Sequence, residues 1–354
     1  MLSIDKTHYR TELEDSFDFR SDGYVDLFER ASAYAFQHPV WLDAFYRHLA
    51  PARAAEPVVL SVRRVHDGSL QCVVPMIMRM KRGFRLLEMT DLGVGDYASA
   101  VATADFWADL EQDEELQQSL RSALPDFDLL RARPVREEDC GRFSLLFGCD
   151  PEPLGFSAHA VTLARPFADW RKETLNGSLR KMIDRKSRKL RREHAVVLEQ
   201  VGDAADIRQA IVDLAQLRSG RFEGDVIHQD FARAFYSEVA EVGAREGMAS
   251  TWRLAVDGDT AGIVFGLTNA GRFYYLLIGC DYERFGQFSP GLQLYDGIME
   301  DWSGRDGACF DFTIGDEDFK MKFGTAPTAM FAFVKTGSLL GALARRALTW
   351  RHNS

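Results

Sequence analysis

Between Tyr282 and Gly291 the chain reads YERFGQFSPG, a stretch that leaves one apolar run and enters another. A phosphate or diphosphate needs several backbone N–H donors converging without side chains in the way, and the first turn of a helix supplies them with a favourable dipole. Gly286 and Gly291 keep the approach open, Ser289 suits a helix cap, and Pro290 suits the first helical position. Arg284, Gln287 and Phe288 complete the candidate anion loop. Ser-Pro-Gly is also a common helix start, so this pattern alone leaves both readings open.

A second chemical candidate is Asp311, inside Cys309-Phe310-Asp311-Phe312. On a strand its neighbours Phe310 and Phe312 point the other way. Such a carboxylate is either a partly desolvated base or a buried acceptor for backbone N–H groups. A third is the run from Arg180 to Arg192, which holds eight basic residues, Arg185 and Arg188 among them, around a narrow stripe of Leu179, Ile183 and Leu190. It reads as a solvated face, as a site for an anionic acceptor, or as a surface docked on an acidic partner region. Asp96 and Tyr97 follow Gly93 and Gly95 at a strand end, where the aspartate either faces a cleft or caps its own turn. No Ser/His/Asp or Cys/His spacing suggests a covalent intermediate, and no Cys/His cluster suggests a metal.

These groups need a scaffold, and 354 residues suffice for two domains. Of the 43 Lys+Arg and 53 Asp+Glu, residues 1–160 hold 17 and 27, and residues 161–354 hold 26 of each. All the excess acidity lies in the first half, which argues against wrapping nucleic acid. Five scattered cysteines, with no leader-like start and no long apolar stretch, lead us to expect a cytoplasmic protein with free thiols.

Residues 1–35 read as an N-terminal arm. The spacing of Trp41, Phe45 and Leu49 predicts a helix over 38–49, and His66-Asp67-Gly68 a hairpin between strands 57–65 and 70–80. Strands 84–92 and 97–101, a helix over 104–123 and a strand over 127–131 follow; a Pro/Gly-rich loop spans 149–156. Beyond it come helices 177–194, 206–222 and 229–245, a three-strand meander over 249–280, a helix 290–302, a strand 308–313 and a last strand 329–333. Residues 336–354 read as a basic amphipathic tail, either lying on an anionic membrane or packed on the protein body.

The strings FQHPVWLDAFYRHL, DLGVGDY, RKMIDRKSRKLRR, YYLLIGCDYERFGQFSPGLQLYDGIM and FDFTIGDEDFKMKFGT occur in this order. In that order they resemble the FemAB/CelD-like branch of the GNAT acyltransferase superfamily over roughly residues 36–333. The resemblance implies an α/β (α+β) fold of two tandem GNAT-like domains, each a mixed, mostly antiparallel sheet flanked by helices. The expected domains are 36–160, on the acceptor side and without a donor site, and 161–335, the acyltransferase. It further implies acetyl-CoA or another acyl-CoA as co-substrate, with its diphosphate on Arg284 to Gly291 and its pantetheine arm between strands 274–280 and 308–313. The acceptor expected is an amino sugar or surface-polysaccharide precursor. Lys320 matches a lysine of the family's closing motif that would stabilise a phosphate or oxyanion, or else pair with Asp311 or Asp316. Asp96 and Tyr97 belong, by the same likeness, to the acceptor side. Two alternatives stand beside this: aminoacyl-tRNA as donor, which the absence of a long helical hairpin between His194 and Gln229 disfavours, and a scaffold with a decayed pocket.

Overall fold

The computed structural model describes residues 8–221 and 224–352, with the side chains of 347–352 outside that description. The start of the expected arm, Phe222 at the end of an expected helix, and the tip of the tail therefore lie outside the described residues. The chain forms two compact units, residues 1–155 with 329–354, and residues 156–328.

The first unit begins with β1 (Tyr9–Glu14), which pairs antiparallel with β2 (Ala55–Arg64), and α1 (Asp22–Arg30). Part of the expected arm is thus an edge strand and a packed helix, with Tyr24, Leu27 and Phe28 buried. The predicted helix over 38–49 is realised as α2 (Pro39–Ala44), a π-turn over Phe45–Leu49 and α3 (Ala50–Ala52), burying Trp41, Phe45 and Leu49 as their spacing requires. β2 forms the predicted hairpin with β3 (Leu70–Lys81), which pairs on with β4 (Phe84–Met89) and the short β5 (Val101–Ala102). Residues 97–100, expected as strand, are irregular. The single helix expected over 104–123 is two, α4 (Ala104–Gln112) and α5 (Glu114–Ala123), because Asp113 accepts the Leu116 N–H and starts a new helix. β6 (Leu129–Arg136), parallel to β4, and α6 (Cys140–Phe147) follow.

β7 (Pro151–Thr162) occupies the stretch expected as a loop, and its portion from Phe156 opens the second unit. Then come α7 (Phe167–Thr174), α8 (Gly177–Glu193), β8 (Val196–Val201), α9 (Ala204–Arg218) and α10 (Asp230–Arg245). The meander is β9 (Ala249–Val256), β10 (Asp259–Asn269) and β11 (Arg272–Cys280), followed by α11 (Tyr282–Phe285), α12 (Pro290–Gly304), β12 (Cys309–Ile314) and α13 (Asp318–Lys322). Strand order in this unit is β7-β12-β11-β10-β9-β8, antiparallel except for β11 with β12. Its core joins Leu179, Ile183 and Leu190 of α8 to Leu294 and Ile298 of α12 and to Phe273, Phe310 and Phe312 of the sheet. The three apolar positions of the basic helix therefore hold it on the sheet and leave most of its charges outward.

β13 (Ala326–Thr336) pairs antiparallel with β6 from Met330 onward, so the last strand expected in the second domain joins the first unit's sheet. α14 (Leu339–His352) follows. A Cβ at Gly341 would overlap the Asp128 carbonyl, so within the first unit the helix backs closely on the residue that precedes β6. Leu339, Leu340 and Leu343 remain exposed. Among the described residues no helix is long and apolar enough to cross a membrane.

Candidate active site

β11 and β12 run side by side for three residue pairs only, Arg272 with Cys309 through Tyr274 with Asp311. Two local devices end the pairing. In β11 the register against β10 slips between Phe265 and Gly266, so Leu276 is an extra residue that bends the strand. Gly266 is needed there, since a Cβ would stand 2.5 Å from the Phe273 ring and 2.6 Å from the Tyr274 carbonyl. In β12 Thr313 has φ of 54°, a region that costs a β-branched residue about 1–3 kcal/mol. Its hydroxyl donates to the Tyr275 carbonyl at 3.1 Å and its N–H to Asp311 at 2.8 Å, contacts that hold the strained conformation. Past this point the strands part.

Asp311 lies at the last paired position with its side chain wholly buried. One oxygen accepts from the Arg272 guanidinium at 2.8 Å and the other from the Thr313 N–H. Both carboxylate oxygens thus act as buried acceptors, and the contacts tie β11 to β12. Lys320 is likewise buried. Its ammonium donates to the Ile314 carbonyl at 2.7 Å and the Gly315 carbonyl at 2.9 Å and pairs with Glu317, in place of the Asp311 or Asp316 pairing expected. It clamps the segment that follows β12.

The candidate anion loop is α11, a 3-10 turn over Gly286–Phe288, and α12 with Pro290 in its first turn. Ser289 has φ of 53° and makes no capping bond, contrary to expectation; its hydroxyl instead receives Lys186 of α8 at 2.6 Å. Lys189 donates to the Gln287 side chain at 3.1 Å and stands 5.2 Å over the Phe288 ring. Phe288 is buried and serves the core. Arg284 is turned to Asp259 and Asp281. Gly286 has an ordinary helical backbone and room for a Cβ, whereas a Cβ at Gly291 would come within 3.0 Å of the Tyr282 hydroxyl. Burial pushes both Tyr282 and the adjacent Cys280 up to about 12, so neither ionises near neutrality.

Lys186 and Lys189 are the residues the sequence reading missed. Their three-residue spacing puts them on one face of α8, but only the packing shows that this face meets the loop. Arg185 and Arg188 point to solvent. In the first unit Tyr97 is buried against Tyr34 and Phe36 with Arg136 4.8 Å over its ring, and Asp96 beside it is half-buried.

Residues 177–321 match the family model described as an acetyltransferase (GNAT) domain. No curated protein matches the chain. Among solved structures, FemX aligns with a TM-score of 0.64 at 10% identity, over 92% of this chain and 97% of that one. L-PGS from Bacillus licheniformis aligns at 0.55 and 12% identity, over 92% and 94%. A tandem GNAT protein from the clavulanic acid biosynthesis pathway, solved without AcCoA, aligns at 0.52 and 12% identity, over 93% and 99%. At these identities the likenesses speak for the fold. Residues 177–321 therefore carry an acetyltransferase (GNAT) domain, and the fold of nearly the whole chain is shared with FemX and with the tandem GNAT protein.

Proposed function

We propose that the second unit transfers an acyl group, an acetyl group in the simplest case, from acyl-CoA to the amine of an amino sugar or related surface-polysaccharide precursor. The observation that carries this reading is the parting of β11 from β12 beside a cationic loop at the start of α12. The thioester supplies an acyl carbon activated for attack by a nitrogen. For its part, the chain offers the diphosphate the ammonium groups of Lys186 and Lys189 beside Ser289 and Gln287, together with the first turn of α12. The open strand edges give the pantetheine arm a path of backbone groups. The Tyr282 hydroxyl packs where a side chain on Gly291 would begin, so the glycine lets the loop fold back closely on the helix start.

Calorimetry with acetyl-CoA tests this. Wild type is expected to bind, and the double variant K186E/K189E to bind at least about tenfold more weakly, since charge-assisted contacts contribute about 1.5–3 kcal/mol each. Both lysines keep part of their surface in water, so the fold should survive the change. Equal affinity in the two proteins, or none in either, sinks the reading.

A second reading, with aminoacyl-tRNA as donor, draws support from the outward face of α8, where Arg185, Arg188 and Arg191 are exposed. Affinity for tRNA that falls steeply with salt and disappears in R185E/R188E/R191E would favour it.

A further inference from the structure

On β7 the buried His159 links two groups that lie far from it in sequence. Its Nδ1 is 3.2 Å from the Thr325 hydroxyl and its Nε2 is 2.8 Å from an Asp316 oxygen. A hydroxyl, an imidazole and a carboxylate in a row form the arrangement that usually activates the hydroxyl. Exposure reverses that logic here: Thr325 and His159 are buried, and 49% of the Asp316 side chain is open to solvent. What a substrate would meet is the carboxylate. An ionised carboxylate only accepts, so Nε2 carries a ring proton toward Asp316, while Nδ1 meets the Thr325 hydroxyl, which itself lies 3.9 Å from the Met321 sulfur.

Asp316 sits on the segment just beyond β12, the strand whose departure from β11 makes the opening. That segment is held firmly. Lys320 binds the Ile314 and Gly315 carbonyls and pairs with Glu317, the Gly315 N–H donates to the Ser157 carbonyl, and the Ser157 N–H donates back to Asp316. The His159 hydrogen bond, seconded by that of Ser157, holds the Asp316 carboxyl below the usual carboxylate range.

We propose that Asp316, oriented by His159 and Thr325, takes the proton from the acceptor amine, an inference that rests on the acyl-CoA reading above. As the nitrogen bonds to the acyl carbon it becomes strongly acidic. One proton passes from nitrogen to Asp316, the C–S bond breaks with its electron pair on sulfur, and Asp316 returns the proton to the thiolate. Asp316 is the catalytic residue; His159 and Thr325 are positioning residues.

The test is thiol release from acetyl-CoA with glucosamine as the amine probe, alongside calorimetry and unfolding of each variant. In Asp316→Asn, kcat should fall about 100-fold or more with KM for acetyl-CoA unchanged. In His159→Leu the carboxyl loses its donor, so the acidic limb of the kcat profile should move to higher pH; His159→Gln, which keeps an N–H, should move it back. Full activity in Asp316→Asn, or an unmoved limb in a folded His159→Leu, overturns the inference. So does a wild type that binds acetyl-CoA yet releases no thiol. A wild type that does not bind acetyl-CoA fails at the acyl-CoA reading and takes this inference with it.

Discussion

Replacing Arg272 with alanine is expected to destabilise the second unit by about 3–5 kcal/mol, the usual cost of removing one partner from a buried ion pair. The Asp311 side chain has no exposed surface, and the Arg272 guanidinium stands 2.8 Å from one of its oxygens. Without it, the buried carboxylate keeps the Thr313 N–H but loses that charge. Asp311→Asn should cost less, because a neutral amide oxygen still accepts from Thr313. The double variant should then be more stable than the two single losses added together, a coupling that urea unfolding of all four proteins measures directly. Additive losses would show that the pair does not lock β11 to β12. Since Asp311 stands at the last paired position before the strands part, the proposed acyl-CoA reading expects acetyl-CoA affinity to fall in Arg272→Ala even in the fraction that remains folded.

Truncating Phe312 to alanine is expected to cost a similar amount, about 3–5 kcal/mol. Its ring is fully buried at the centre of an aromatic cluster, 4.8 Å from Phe310, 5.2 Å from Phe323 and 5.4 Å from Tyr295. These neighbours come from β12, α12 and the end of α13, so the cavity would loosen both sides of the opening at once. Phe312→Leu refills much of the space and should lose distinctly less. Denaturation midpoints that fall equally for the two variants would mean that the site collapses on truncation and that the cluster is not close-packed.

Much of the scaffold was legible because it follows from local rules. Asp67-Gly68 and Asp257-Gly258 make the turns of their hairpins, and the 3.6-residue stripe of Leu179, Ile183 and Leu190 buries the inner face of α8. Other features were not legible for physical reasons that are equally plain. β7 looked like a loop because Pro and Gly weaken strand propensity, yet a strand is accepted wherever a neighbouring edge offers a ladder. Ser289 was expected to cap α12, but a positive φ turns its side chain to Lys186 instead. The partners of Asp311 and Lys320 were left open, since a carboxylate among phenylalanines has the same sequence whether it does chemistry or binds a backbone amide.

By itself the sequence determined much of the order of elements, the loop entering α12 and the likeness to a GNAT acyltransferase in the second half, where residues 177–321 match the acetyltransferase (GNAT) model. These depend on residues close together along the chain. Only the tertiary structure decided which side chains serve the site. Lys186 reaches Ser289 across 103 positions, Asp316 meets His159 across 157, and Arg272 meets Asp311 across 39. Such pairings depend on where strands part and helices land, and that is set by packing of the whole unit, which no local pattern encodes.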